Sequence, residues 1–138
     1  MGRTTILIWR AVIALAVVIV VVGGVRAFRQ GELRFDRIDP QQGTRIYQRN
    51  CAECHGADAE GKDRAPPLNP AGHAHHHADW ELVMIIAEGR GGLGRMPAWK
   101  EKLSDREIQA VVAYIKTLWT EDQRRFQQEI NRARPAPP

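Results

Sequence analysis

The apolar residues of this chain are concentrated near its beginning. From Ile6 to Val25 the sequence reads ILIWRAVIALAVVIVVVGGV, an apolar run that only Arg10 interrupts. A helix of about 20 residues is roughly 30 Å long, which matches the hydrocarbon core of a bilayer. Arg10 lies near one end, where a long side chain can reach the headgroups. The run predicts a single transmembrane helix, within an N-terminal membrane anchor at residues 1–28.

A cleaved secretory signal is the alternative for this segment. Its apolar region would end at a small-x-small site that finishes at Ala27. However, Arg26 lies inside that site and Arg29 follows it, and both weaken the match. We therefore favour a retained anchor, followed by a linker at residues 29–38.

Helical spacing of apolar residues returns after the linker. Asp39 and Pro40 suit the start of a helix that runs into the string CAECH. Residues 56–78 are rich in turn-forming glycine and proline, which predicts a long loop. Asp79 is expected to cap a short helix, WELVMIIAEG, that stops at Gly89.

The clearest helix lies further along the chain. Ser104 and Glu107 form a capping-box pair, and an apolar stripe follows at helical spacing. No alternating pattern is long enough for a strand, so we predict an all-α domain at residues 39–120. Residues 121–138 are predicted to be a polar C-terminal tail, in which residues 121–134 are helix-permissive and the final RPAPP is flexible.

The net charge of +4 raises the question of nucleic-acid binding. Residues 30–120 contain twelve Lys or Arg against thirteen Asp or Glu, so the excess positive charge lies at the two ends. There is no basic stripe interleaved with aromatic residues. The charge pattern therefore gives no support to a nucleic-acid partner.

Both cysteines of the chain lie in the string NCAECHG, at Cys51 and Cys54. A redox disulfide of the C-x-x-C type belongs near a βαβ pattern, which is absent, and a structural zinc site needs four ligands at other spacings. The remaining interpretation is C-x-x-C-H, the attachment signal for a c-type haem. In it the two thiols form thioethers with the haem and His55 binds its iron.

Met96 is the candidate for the second axial ligand of the iron. It lies in a glycine-rich loop and is followed at once by Pro97, outside any apolar periodicity. Met84 instead lies within a predicted helix, where a methionine usually fills the core. Methionine opposite histidine is a known ligand pair of haem iron and raises its reduction potential.

With these pieces, residues 39–120 resemble the class I c-type cytochromes, which are monohaem and His/Met-ligated. The matching strings are GTRIYQRNCAECHG, GRMPAW and LSDREIQAVVAYIKTLW. The resemblance implies a helical domain wrapped around one covalently bound haem c. It also implies a close crossing of the first and last helices, with Gly43 and Tyr47 against Tyr114, Leu118 and Trp119.

The resemblance further implies residues that support or pack on the haem. A proline after the histidine offers its carbonyl oxygen to the His55 ring N–H, and Pro66 or Pro67 matches by position. Leu68, Tyr47 and Trp99 are expected to pack on the haem or close to it.

The string GHAHHHADW departs from what an electron carrier needs. Its histidines are His73, His75, His76 and His77. A solvated loop is one interpretation, and a surface site for copper or zinc is another. Displacement of Met96 by one of these histidines would leave the Met-Pro loop without a role.

The sequence therefore predicts a membrane-tethered cytochrome c that carries single electrons between respiratory or other redox partners. It is not expected to be an enzyme itself, although it could be a subunit of an oxidoreductase complex. Haem attachment in the family implies the outer face of the bacterial inner membrane, with the N-terminus in the cytoplasm and the haem domain in the periplasm. The expected partners are membrane redox complexes and the lipid bilayer. The alternative is a haem protein whose histidine cluster binds copper or zinc for metal handling or redox sensing.

Overall fold

The structure is a computed structural model, and the residues it describes are 2, 12–13, 38–63, 65–91 and 96–137. The chain divides into two units, Met1–Leu33 and Arg34–Pro138. Nearly all of the predicted anchor, residues 1–28, lies outside the described residues, as does most of the linker. Among the residues that are described, no helix is both long and apolar enough to cross a membrane.

The second unit is helical over its described part. In chain order its elements are α1 (Pro40–Asn50), α2 (Ala52–His55), a short 3-10 turn (Ala74–His76), α3 (Asp79–Glu88), α4 (Asp105–Leu118) and α5 (Glu121–Ala133). Outside these elements the backbone forms two isolated bridges, Lys62 with Ala65 and Arg90 with Met96. The prediction of an all-α domain is confirmed.

Helices α1 and α4 form the main packing contact of the domain. A Cβ atom at Gly43 would overlap the Ala110 carbonyl oxygen and lie 2.9 Å from the Tyr114 Cβ. The rings of Tyr47 and Tyr114 follow, with centroids 5.0 Å apart. The close crossing is present, and it is centred on Ala110 and Tyr114.

The start of each main helix follows from local hydrogen bonding. The Asp39 carboxylate accepts from the Gln41 amide at 2.9 Å, directly before α1. At α4 the Glu107 carboxylate accepts from the Ser104 amide at 2.8 Å, as the capping-box pattern predicts. Helix α3 is present where the sequence predicts it and ends before Gly89, but the predicted cap was wrong: Ala78 is the cap and Asp79 is the first helical residue. The Asp79 carboxylate is used elsewhere, by side chains from other helices.

The C-terminal region differs from the predicted tail. Residues Glu121–Ala133 form helix α5, which Thr120 caps through a hydrogen bond from the Gln123 amide. Its Gln123 donates to the Pro70 carbonyl at 3.0 Å and its Gln127 is completely buried. The helix therefore packs on the loop that carries the histidine tract.

Candidate functional site

Both cysteines lie at the junction of α1 and α2. Cys51 is the C-terminal cap of α1 and the residue before α2, so the backbone bends at this thiol. Cys51 is half-buried, Cys54 is exposed, and both are free thiols. One short turn thus presents both thiols together with the imidazole of His55.

The environment of Cys51 disfavours thiolate chemistry. Burial, with Cys54 close by, raises the pKa of the Cys51 thiol to about 11. Reactive cysteines of redox enzymes have a lowered pKa, because the thiolate is the nucleophile. The pair therefore lacks the electrostatic setting of a thiol–disulfide switch.

His55 is buried and its ring is held by the following loop. Its Nδ1 lies 2.9 Å from the Pro66 carbonyl oxygen. A carbonyl oxygen can only accept, so Nδ1 carries the proton and Nε2 is the nitrogen that can bind a metal. Of the two candidate prolines, Pro66 makes this contact, while the Pro67 carbonyl faces Gly72, where a Cβ atom would overlap it.

The loop that supplies Pro66 is fixed to the attachment turn by backbone hydrogen bonds. The Gly61 amide donates to the His55 carbonyl at 2.7 Å, and the Leu68 amide donates to the Ala59 carbonyl at 2.8 Å. Gly61 has a φ of +83°, a conformation that favours glycine. The half-buried Leu68 packs against the core, and its carbonyl accepts from the Trp119 indole at 3.0 Å.

Tyr47 of α1 also supports the attachment turn that carries the two thiols and His55. It is completely buried, and its hydroxyl donates to the Gly56 carbonyl at 2.9 Å. Burial raises the pKa of this hydroxyl well above its usual range, so it remains a donor. Tyr47 thus joins the α1–α4 crossing to the residue that follows His55.

Met96 follows α3 in the chain, directly after the glycine-rich loop. Its amide and carbonyl pair with those of Arg90 at 3.1 and 3.0 Å. The residue is half-buried and packs against the core, as does Trp99. The backbone at both ends of this loop is therefore held in place, whereas residues 92–95 lie outside the described part.

The donor set of this site fits a covalently attached haem. Two thiols and an imidazole whose Nδ1–H is held by the Pro66 carbonyl come from one turn, and a thioether sulfur is available at Met96. The oriented imidazole is typical of metal-binding histidines, whose second nitrogen donates to an oxygen acceptor.

The histidine tract has a packing role in the structure. The ring of His75 lies between Trp119 and Phe126, with centroids 6.1 Å from each, and the rings of His75 and His76 are 4.3 Å apart. Burial, with His76 and His73 nearby, lowers the pKa of His75. Within the described residues, no group of three or more His, Cys, Asp or Glu side chains is arranged to hold a metal ion.

Some contacts that organise this region were not predicted from the sequence, which singled out Asp79 only as a helix cap. Asp79 accepts from the Lys116 ammonium at 2.6 Å and from the Gln127 amide at 2.7 Å, and Asn131 donates to its other oxygen at 3.0 Å. Lys62, near the attachment turn, was also missed. Lys62 lies in no motif, and the helix-permissive composition of residues 121–134 did not indicate that this segment packs against Asp79.

Comparison with known proteins agrees with this geometry. The family described as cytochrome c oxidase, cbb3-type, subunit III matches residues 39–115, more than half of the chain. The cbb3-type cytochrome c oxidase subunit CcoP of Azospirillum brasilense is 34% identical over 89 residues, which are 60% of this chain and 30% of that protein. This chain thus spans less than a third of the length of that relative.

Two further similarities concern smaller cytochromes. Cytochrome c6 of Bryopsis maxima is 33% identical over 78 residues, 56% of this chain and 89% of that protein. The structure of cytochrome CL from Methylophaga aminisulfidivorans is similar with a TM-score of 0.59 at 23% identity, over 80% of this chain and 75% of the other. The latter similarity shows the fold alone.

The match over residues 39–115 and the helical cytochrome c fold lead to one conclusion. The chain belongs to the family of cbb3-type cytochrome c oxidase subunit III. It is a class I type cytochrome c electron-transfer domain, and its family implies covalently bound haem c.

Proposed function

We propose that this protein is a membrane-tethered cytochrome c with a single haem, which carries single electrons on the outer face of the bacterial inner membrane. In this proposal Cys51 and Cys54 would hold the haem as thioethers, and His55 and Met96 would be the ligands of its iron. The haem supplies one-electron chemistry by cycling between ferrous and ferric iron. The described domain has one attachment motif, which supports one haem.

The observation that carries the proposal is the hydrogen bond between His55 Nδ1 and the Pro66 carbonyl. It fixes both the tautomer and the ring plane of the one histidine that follows the two thiols. A histidine with only a structural role has no need of an adjacent pair of thiols. Leu68, Tyr47 and Trp99 support the site through the loop, the attachment turn and the methionine loop respectively.

Met96 as second ligand makes the site suited to electron transfer and not to substrate chemistry. An iron with two protein ligands has no open position for a substrate. The backbone pairing of Met96 with Arg90 would hold the backbone of this ligand in place.

The membrane tether and its direction rest on the sequence. The apolar run within residues 1–28 supports an anchor, and thioether attachment in this family supports a periplasmic haem domain with a cytoplasmic N-terminus. A tether raises the effective concentration of membrane partners. We therefore propose that the partners are membrane redox complexes, consistent with the oxidase subunits among its relatives.

The test of the site is spectroscopic and uses a matched pair of methionines. The full chain, produced with a haem-attachment system, should carry one haem that survives denaturation and extraction. Met96→Ala should abolish the methionine-to-iron absorption band of the oxidised protein. Met84→Ala is the control, because Met84 lies exposed on α3 and should leave the band unchanged. A wild-type protein without thioether-bound haem would refute the proposal.

The tether has a separate test. Fractionation of cells should recover the full chain in membranes and a variant that lacks the anchor segment in the soluble periplasmic fraction. Detergent, but not high salt, should release the full chain. Release by salt alone would contradict an anchor that spans the bilayer.

A further inference from the structure

Lys62 lies where the loop after the attachment turn meets the end of helix α2. Its ammonium group donates to the carbonyl oxygens of Ala52 and Glu53, at 3.3 and 3.0 Å. Both carbonyls belong to the CAECH string, between the two cysteines. A cation at the C-terminal end of a helix is favourable, because the aligned peptide dipoles leave partial negative charge on the carbonyl oxygens there. The Ala52 carbonyl also accepts from the Gly56 amide at 3.0 Å.

The backbone of Lys62 makes a second connection, to the residue before Pro66. The Lys62 amide donates to the Ala65 carbonyl at 3.0 Å, and the Ala65 amide donates to the Lys62 carbonyl at 2.8 Å. Pro66 follows Ala65 directly, and its carbonyl accepts from His55 Nδ1 at 2.9 Å. One residue thus links both ends of the contact that orients the imidazole.

The geometry closes a small ring of contacts. It runs from His55 to Pro66, back through Ala65 to Lys62, and from the Lys62 ammonium to the turn that carries His55. The Gly61 amide strengthens the same ring by donating to the His55 carbonyl at 2.7 Å. A loop held at several points has little freedom to change the distance between Nδ1 and its acceptor.

We infer that Lys62 is a positioning residue for the proximal histidine. Its ammonium holds the attachment turn against the Lys62–Ala65 bridge and thereby keeps the Pro66 carbonyl on His55 Nδ1. This role rests on the proposed function, since it concerns the orientation of an iron ligand. The hydrogen bonds described for the Lys62 ammonium go to the backbone carbonyls of Ala52 and Glu53, so Lys62 would act on the imidazole through the backbone.

The hydrogen bond matters because the acceptor tunes the ligand. A carbonyl on Nδ1–H makes the imidazole more basic and stabilises ferric iron. Loss of this bond therefore raises the reduction potential, whereas loss of a nearby positive charge alone lowers it. Substitution of Lys62 would therefore raise the reduction potential if it breaks this hydrogen bond, and lower the potential if it only removes a positive charge.

The test compares Lys62→Met and Lys62→Arg with Arg132→Met in the haem-bound full chain. Arg132 is exposed on α5, so its substitution controls for the loss of one positive charge. In Lys62→Met, the His55 ring N–H and the Gly61 amide should exchange with solvent about fivefold faster, as loss of one hydrogen bond allows. Lys62→Arg should restore slow exchange, and core amides of α4 such as that of Val112 should not change in any variant.

Three outcomes decide the matter. Unchanged exchange of the His55 ring N–H in Lys62→Met overturns the inference, and a potential that then falls assigns Lys62 a charge effect only. Faster exchange throughout α4 overturns it too, because it indicates general destabilisation. Absence of thioether-bound haem in the wild type would instead overturn the proposed function. The first two outcomes concern Lys62 alone and leave the proposed function intact.

Discussion

Gly43 shows how a single residue sets the distance between two helices. Its hydrogen atom faces the backbone of α4, where any larger side chain would overlap the Ala110 carbonyl. The neighbouring Tyr47 then fills the crossing and reaches the Gly56 carbonyl with its hydroxyl. Close approach of the helices therefore determines where the attachment turn lies.

Gly43→Ala should destabilise the domain by about 1 to 3 kcal/mol, because the extra methyl group forces α1 away from α4. Urea unfolding of the haem-bound protein would measure the change. Gly91→Ala is the matched control, since a Cβ atom at Gly91 meets nothing within 4 Å. Equal effects of the two substitutions would contradict the packing argument.

At the scale of elements, helix α5 is the unexpected feature. It lies beyond residues 39–115, which match the family, yet it makes several contacts with the loop and with α3. Asp79 accepts hydrogen bonds from Gln127 and Asn131 of α5 and from Lys116 of α4. This one carboxylate joins three helices and explains why the segment around the histidine tract is ordered.

Asp79→Ala should loosen α5 while the haem site remains intact. Loss of several hydrogen bonds to one half-buried carboxylate should lower the free energy of unfolding by about 2 kcal/mol. Amide exchange in α5 should accelerate strongly, whereas exchange in α1 should change little. Asp122→Ala, at an exposed position of α5, serves as the control. Protection of α5 that survives in Asp79→Ala would show that Asp79 does not hold the helix.

Glu81 makes the stability of the fold depend on pH, mainly through its contact at the start of α3. The Ala78 amide is the main cause that holds the pKa of Glu81 below its ordinary value of 4.5, and Arg134 at the end of α5 adds to it. A carboxyl group whose pKa is lowered on folding stabilises the fold above its unfolded pKa. That contribution is lost as the pH falls below 4.5 and through the folded pKa.

Wild-type protein should therefore lose more stability than Glu81→Gln between about pH 6 and pH 3. Urea unfolding at a series of pH values would measure the difference between the two curves. Glu129→Gln, exposed on α5, should follow the wild-type curve. Parallel curves for wild type and Glu81→Gln would contradict this linkage.

For the whole molecule, the small size of the domain makes the haem part of the core. The buried apolar residues form one cluster between α1, α3 and α4. Domains of this size bury a modest fraction of their surface and are only marginally stable unaided. A large apolar group held covalently would supply much of the missing contact.

The double variant Cys51→Ala with Cys54→Ala should consequently yield little folded protein. Circular dichroism should show reduced helix content, and the recovered protein should lack haem colour. The control is the single variant Met84→Ala, which should fold and keep its haem. A stable, helical and colourless domain from the double variant would show that the apolar cluster suffices without haem.

Local signals were enough to predict much of this protein. The residues at Asp39 and Ser104 mark the starts of α1 and α4, because a cap acts within one helical turn. The CAECH string and the apolar stripe of α4 pointed to a helical cytochrome domain, and the family match confirmed it. Each of these inferences depends on residues that are close together in the chain.

Tertiary structure alone decided the contacts between distant segments. It selected Pro66 over Pro67 as the partner of His55, placed Lys62 on the attachment turn, and made residues 121–133 a docked helix. The sequence of α5 is polar and shows no wide apolar face. Hydrogen bonds to Asp79 and Pro70 hold much of the helix in place instead. Such partners lie about 50 residues apart in the chain, and only the folded backbone brings them together.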